Sequence, residues 1–161
     1  PDRIAIGGGC TGGNFAAVVT LMARDAGGPQ VAAQYLHWTV FDARCEYESF
    51  YENSDGYTLS RDDCLFCYSQ YLPDWSKRFD WRASPILAPS LKGLPPTLIR
   101  TGAWDVLRDE GRAFRDRLLD AGVDVTYSEG PQESHGPTPA SAAAVQAEMT
   151  AFLDRYVGPR V

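Results

Sequence analysis

The sequence predicts an α/β fold built on an open, mostly parallel sheet. Three observations carry that expectation. Apolar strand-like runs alternate with amphipathic helical stretches, a strand–glycine turn–helix–strand unit opens the chain, and the composition is that of one globular domain. Of the 161 residues 44% are hydrophobic and 22% charged, enough for a real core, and no repeat or flexible linker divides positions 1–161. No apolar run is long enough to cross a bilayer. A net charge of −6 argues against phosphate-directed binding of nucleic acid and leaves small molecules as the expected ligands.

Arg3-Ile4-Ala5-Ile6 reads as the first strand. It enters the turn Gly7-Gly8-Gly9-Cys10-Thr11-Gly12-Gly13, and Asn14 to Arg24 follows as a helix with Phe15, Val18, Val19 and Met22 at helical spacing. Ala26-Gly27-Gly28-Pro29 stops that helix, and Ala33 to Phe41 returns as a second strand, parallel to the first because a helix connects them. From Asp42 to about Pro95 the pattern is irregular and aromatic-rich, with one helix capped by Ser60 and running towards Leu72. Thr97 to Thr101 is the third strand and Asp109 to Ala121 an amphipathic helix, acidic at its start and closed by Gly122. Val123 to Tyr127 is the fourth strand. A loop over Gly130 to Pro139 leads to a closing helix from Ala140 to Tyr156, with Val145, Met149, Phe152 and Leu153 inward.

Gly8-Gly9-Cys10-Thr11-Gly12 fits a nucleophile elbow, in which the backbone turns so sharply that bulk two residues either side clashes. Cys10 is then the nucleophile, placed where a helix dipole favours a thiolate, and the Thr11 backbone N–H is an oxyanion donor. Gly7, Gly9 and Gly12 also match G-x-G-x-x-G, a dinucleotide fingerprint, whereas the Lys and Ser/Thr of a phosphate loop are missing. The downstream residues favour the elbow. Asp105 follows the third strand and His135 lies in the loop before the last helix, giving the order nucleophile, acid, base. In these roles His135 exchanges the proton of Cys10 and Asp105 orients the imidazole.

Together with Tyr51-Glu52-Asn53, Arg82-Ala83-Ser84-Pro85, Leu94-Pro95-Pro96, Asp105-Val106-Leu107-Arg108-Asp109-Glu110-Gly111 and His135-Gly136, this pattern resembles the hormone-sensitive-lipase-like, or family IV, α/β-hydrolases. The resemblance implies the C-terminal part of an α/β-hydrolase domain, lacking the N-terminal strands and cap. It also implies a carboxylesterase or lipase-like hydrolase of short acyl esters with no cofactor or metal. Where the family carries Gly-Asp-Ser-Ala-Gly, this chain has Gly9, Cys10 and Thr11 at the three central positions; Pro137 replaces an aromatic, and the upstream His-Gly-Gly-Gly motif is absent. A cysteine nucleophile points to activated esters, lactones or thioesters. The alternatives are a non-catalytic ligand-binding relative, similar to the plant gibberellin receptors, and a truncated, inactive scaffold.

Without its preceding strands the Arg3 to Ile6 strand presents a bare apolar edge, to be covered by the rest of a longer protein, a second chain or a homodimer. The chain opens Pro1-Asp2-Arg3 with neither an initiator Met nor a signal segment, the mark of a removed start or a fragment. Four irregularly spaced cysteines read as free thiols of a reducing, cytoplasmic compartment. Cys64 and Cys67 form a C-x-x-C inside a helix, a poor redox or zinc motif, and His37 reads as a packed residue. Trp75, Trp81 and Trp104 are expected between helices and sheet, with Trp104 also placed to line an acyl pocket. Arg108, Arg112 and Arg117 are expected on a solvated helix face.

Overall fold

The first strand, β1 at Ile4–Gly9, runs straight into the helix α1 at Thr11–Asp25. A computed structural model describes residues 3–158, so Pro1, Asp2 and the last three positions lie outside the described residues. α1 starts three residues before the expected Asn14, because the Cys10 carbonyl already accepts from the Gly13 and Asn14 N–H groups. β2 at Val31–His37 returns parallel to β1. It stops before the expected Phe41 because Trp38 adopts φ 43°, with its N–H turned to the Arg100 carbonyl at 2.8 Å. The long excursion that follows contains the short helix α2 at Ser49–Glu52, the helix α3 at Arg61–Tyr71 and two 3-10 turns. Ser60 caps α3 reciprocally: its hydroxyl accepts from Asp63 N–H and the Asp63 carboxylate from Ser60 N–H.

β3 at Thr97–Gly102, α4 at Arg108–Asp120, β4 at Val125–Gly130 and α5 at Ala142–Val157 complete the chain. β4 begins two residues later than expected, since Gly122 and Val123 are spent closing α4 on the Leu119 and Leu118 carbonyls, Gly122 at φ 75°. All pairings are parallel and the sheet order is β1-β2-β3-β4, an α/β-hydrolase arrangement of four strands with helices on both faces. Among the described residues β1 pairs only with β2, as an outer strand.

One face of the sheet, through Leu36 and Ile99, packs against Leu21 of α1 and Phe114 and Leu118 of α4. Phe41 stacks on Phe114 at 4.2 Å between ring centres. The other face, through Ala33 and Leu98, is covered by Phe152 of α5. A third cluster of Val40, Phe50, Tyr68 and Leu107 lies under the excursion. Two expectations fail here, those for Trp75 and Trp104 and for Arg117. Phe15, Val19 and Met22 form a half-exposed stripe on α1, with the Phe15 ring 6.0 Å from that of Tyr71. Trp75 and Trp104 are largely exposed instead of buried between layers. Arg117 is turned inward instead: its guanidinium donates to the Ile86 and Ala88 carbonyls. No helix among the described residues is long and apolar enough to cross a membrane.

Glu110, wholly buried under β2, accepts from the Phe41 N–H at 3.2 Å. Burial raises its pKa well above the ordinary 4.5, against the lowering effect of that hydrogen bond. A carboxyl whose folded pKa lies above its unfolded value contributes stability that is complete below 4.5 and is lost as pH climbs towards the folded pKa. Glu110→Gln keeps the acceptor for Phe41 and removes that loss. Thermal melts between about pH 5 and pH 8 should show the variant gaining on the wild type as pH rises; a gap that closes with pH contradicts the assignment.

Candidate active site

Cys10 sits between β1 and α1 at φ 53° and ψ −126°. Its N–H is held by both the His37 and Trp38 carbonyls, at 3.0 and 3.1 Å, so the sharp turn is tied to the end of β2. A side chain at Gly8 would drive a Cβ to 2.6 Å from the Gly12 backbone, which is the expected steric demand of an elbow. The partner position differs from expectation: a Cβ on Gly12 meets nothing, while one on Gly13 would collide with Thr39. The second small-residue requirement has moved one place along, onto the contact of α1 with the chain leaving β2. Asn14 then locks the helix start by donating to the Val40 and Ala83 carbonyls at 2.9 and 3.1 Å.

Asp105 and His135 come from the ends of β3 and β4. Asp105 is buried; one carboxylate oxygen accepts from the Leu107 N–H at 3.1 Å and the other meets His135 Nδ1 at 3.1 Å. Asn53 donates to the Asp105 carbonyl at 3.0 Å, fixing the backbone of the acid. The loop carrying His135 is anchored by Glu133, whose buried carboxylate receives two guanidinium bonds from Arg100 of β3, at 2.7 and 3.1 Å. Ser128 and Glu148 take the other Arg100 donor. Gly102 lets this loop close down, since a Cβ there would strike the Ser134 carbonyl. Arg100 and Glu133 were not foreseen as site residues; a bidentate pair between a strand and a distant loop leaves no periodic trace in sequence.

The structure thus places all four candidates, Cys10, Thr11, Asp105 and His135, beyond the carboxyl ends of the parallel strands β1, β3 and β4. Their electrostatics are linked. Burial alone raises the Cys10 pKa, but His135 beside it, together with the Thr11 N–H and hydroxyl, brings it below the ordinary 9.0. Burial alone lowers that of His135, yet the bonds and charges of Asp105 and Cys10 outweigh it and push the imidazole up to about 10. Each group favours the charged form of the other, the condition for a thiolate–imidazolium pair.

Cys10 opens onto an apolar cavity of about 200 Å³ between the start of α1 and the inner stripe of α3, where Cys64, Cys67, Tyr68 and Tyr71 recur at helical spacing. A larger cavity, about 430 Å³, opens near Arg24, Gly28 and Pro95, at the far end of α1 and away from these groups. Trp104, expected in the acyl pocket, instead stacks on Tyr57 outside it at 5.8 Å. His37 packs between the Tyr35 and Trp38 rings, and burial lowers its pKa to about 4. Among the described residues no group of three or more His, Cys, Asp or Glu could hold a metal ion.

Comparison with known proteins places the site in context. A family model described as alpha/beta hydrolase fold matches residues 1–138. Carboxylesterase NlhH of Mycobacterium tuberculosis is 38% identical over 139 residues, 84% of this chain and 44% of that protein. Carboxylic ester hydrolase LipN of the same organism is 40% identical over 134 residues, 79% of this chain and 36% of its own length. A thermostable esterase from Pseudomonas putida superposes with TM-score 0.89 at 37% identity, over 99% of this chain and 53% of that one. A fungal esterase from Rhizomucor miehei gives 0.91 at 30% identity, over 97% and 50%. The chain spans about half the length of these proteins or less.

The thiol electrostatics are open to direct measurement. The iodoacetamide rate at Cys10, followed against pH with the modified peptide identified by mass spectrometry, should rise with a midpoint below 9.0. In His135→Ala only the Thr11 N–H and hydroxyl are left to oppose burial, so the midpoint should move up from that of the wild type. Equal midpoints in the two proteins would show that the imidazole does not act on the thiol.

Proposed function

The chain belongs to the α/β-hydrolase family, in its hormone-sensitive-lipase-like branch, and from that premise we propose that it hydrolyses carboxylic esters, thioesters or lactones through a Cys10–His135–Asp105 triad. The observation that carries the reading is the run of contacts from the buried Asp105 carboxylate to His135 Nδ1 at 3.1 Å and on through the imidazole to the Cys10 thiol.

In this reaction the Cys10 thiolate attacks the carbonyl carbon, and the developing oxyanion meets the Thr11 N–H at the positive end of α1. The C–O or C–S bond to the leaving group then breaks as His135 delivers its proton. An acyl-cysteine remains. His135, now neutral, takes a proton from water; the hydroxide attacks the acyl carbon and the thiolate leaves, restoring the ion pair. Asp105 holds the Nδ1 proton throughout and stays ionised. A thiolate is a good leaving group, so the tetrahedral intermediate collapses towards acyl-enzyme only when the substrate's own leaving group is comparably good. That favours thioesters and activated esters over amides.

The apolar cavity beside Cys10 suits a small acyl group. The four free thiols fit a reducing cytoplasm. The outer edge of β1 and the stripe Phe15, Val19 and Met22 call for a covering polypeptide, supplied by more of the same protein, by another chain or by a second copy. A binding-only relative would keep the pocket but has no use for an acid-oriented base next to a thiol.

Hydrolysis of a short acyl thioester, followed by thiol release, tests the proposal. Cys10→Ala should fall to the uncatalysed rate, and His135→Ala should lose on the order of 10²–10⁴-fold in kcat/KM. Wild-type protein that binds an acyl thioester but leaves it intact would replace the hydrolase reading with the binding one.

A further inference from the structure

All four cysteines of the chain gather around one place, although they are scattered over the sequence. Cys10, before α1, and Cys64, on α3, line the same apolar cavity. Behind Cys64, away from the cavity, lies Cys45, and the two side chains rest against each other inside the cluster of Val40, Phe50 and Tyr68. Both are free and buried, while Cys67, one turn on from Cys64, is exposed at the cavity wall. Neither Cys45 nor Cys64 has a part in the hydrolytic cycle.

We infer that Cys45 and Cys64 form a dithiol that takes over oxidation from Cys10, so that a hydroperoxide reacting at the exposed nucleophile ends as a buried Cys45–Cys64 disulfide. The inference rests on Cys10 being the reactive thiol of the site. A thiolate activated for attack on carbonyl carbon is also activated for attack on peroxide oxygen, and without a second thiol it is exposed to irreversible over-oxidation. The cavity that admits an acyl group admits a small hydroperoxide equally well.

The steps balance. The Cys10 thiolate attacks the terminal oxygen of ROOH; the S–O bond forms, the O–O bond breaks, and RO⁻ leaves as ROH with the proton of His135. Cys10 is now a sulfenic acid, oxidised by two electrons. Cys64 attacks that sulfur, forming Cys10–Cys64, and the sulfenic oxygen departs as water with the Cys64 proton. Cys45 then attacks Cys64; the Cys45–Cys64 bond forms, Cys10 leaves as thiolate, and the Cys45 proton returns to His135. One hydroperoxide becomes alcohol and water, and two thiols become a disulfide. The order follows from the layout, with Cys64 alone facing both Cys10 and Cys45. The required approach is a closing of Cys64 of α3 on the start of α1 across the cavity of about 200 Å³.

Stoichiometric hydrogen peroxide, differential alkylation and peptide mapping test this. In wild type the expected product is a Cys45–Cys64 disulfide, with Cys10 still open to alkylation and thioester hydrolysis surviving. In Cys10→Ala the same disulfide should form at least about tenfold more slowly, because the oxidant then has to find a buried thiol unaided. In Cys45→Ser, Cys10–Cys64 should accumulate. Sulfinic acid at Cys10 with Cys45 and Cys64 still reduced, a Cys10–Cys67 disulfide, or an undiminished rate in Cys10→Ala would each overturn the inference. Thioester hydrolysis measured before any peroxide is added reports on the hydrolase reading separately. An active enzyme that gives only sulfinic Cys10 loses the dithiol relay and keeps its triad.

Discussion

The backbone of Cys10 at φ 53° and ψ −126° is a conformation that side-chain-bearing residues avoid, at a cost of about 1–3 kcal/mol. It persists because the surroundings leave no alternative. Its N–H is shared by two carbonyls at the end of β2, its own carbonyl begins α1, and α1 is drawn against Thr39 and Val40 by Gly13 and Asn14. The same few contacts therefore fix the strand–helix turn, the point where β2 ends and the direction in which the thiol projects. Trp38 and Cys45, the other two described non-glycine residues at positive φ, lie on the segment that leaves β2 beneath this turn.

A second set of contacts performs the same service for His135. A histidine on a loop would wander if the loop were held only by its ends. Here Glu133, two residues earlier, is buried and clasped by Arg100, while the Trp104 N–H binds the Glu133 carbonyl at 2.9 Å. Removing the guanidinium from such a pair strands a buried charge, which typically costs about 3–5 kcal/mol. The pair contributes positional control of the imidazole more than net stability. It also links β3, the origin of Asp105, with β4, the origin of His135, so acid and base are adjusted as one unit.

Much of this was legible in the sequence because it rests on local rules. The Ser60 cap, the Gly122 stop, the alternation of strands and helices and the order Cys10, Asp105, His135 each leave a signature within a few residues. What sequence hid was long-range. Nothing near Trp38 announces that its N–H turns towards Arg100, so the apolar pattern runs four residues past the end of β2. Phe15, Val19 and Met22 have helical spacing, but spacing cannot say whether another element covers them. The C-x-x-C of Cys64 and Cys67 has little meaning as a motif, because the spatial partner of Cys64 is Cys45, nineteen residues back. The small-residue rule of the elbow was right in kind and misplaced by one position, since the steric demand comes from Thr39, outside the motif.

The strands stand side by side in the order in which the chain lays them down, each with its neighbour immediately before it. Such a sheet can grow by accretion as a ribosome delivers it, each new strand finding its template already formed. The exception is the return from His37 to Thr97, where the long excursion must loop away and come back. Loop-closure entropy grows only slowly with length, so closing an excursion of this size costs little more than closing a short one. Asp105 and His135 lie beyond that return, and Trp38, whose carbonyl helps hold the Cys10 N–H, is itself bonded to Arg100 of β3, so the turn and its two neighbours come together only when β3 lies beside β2.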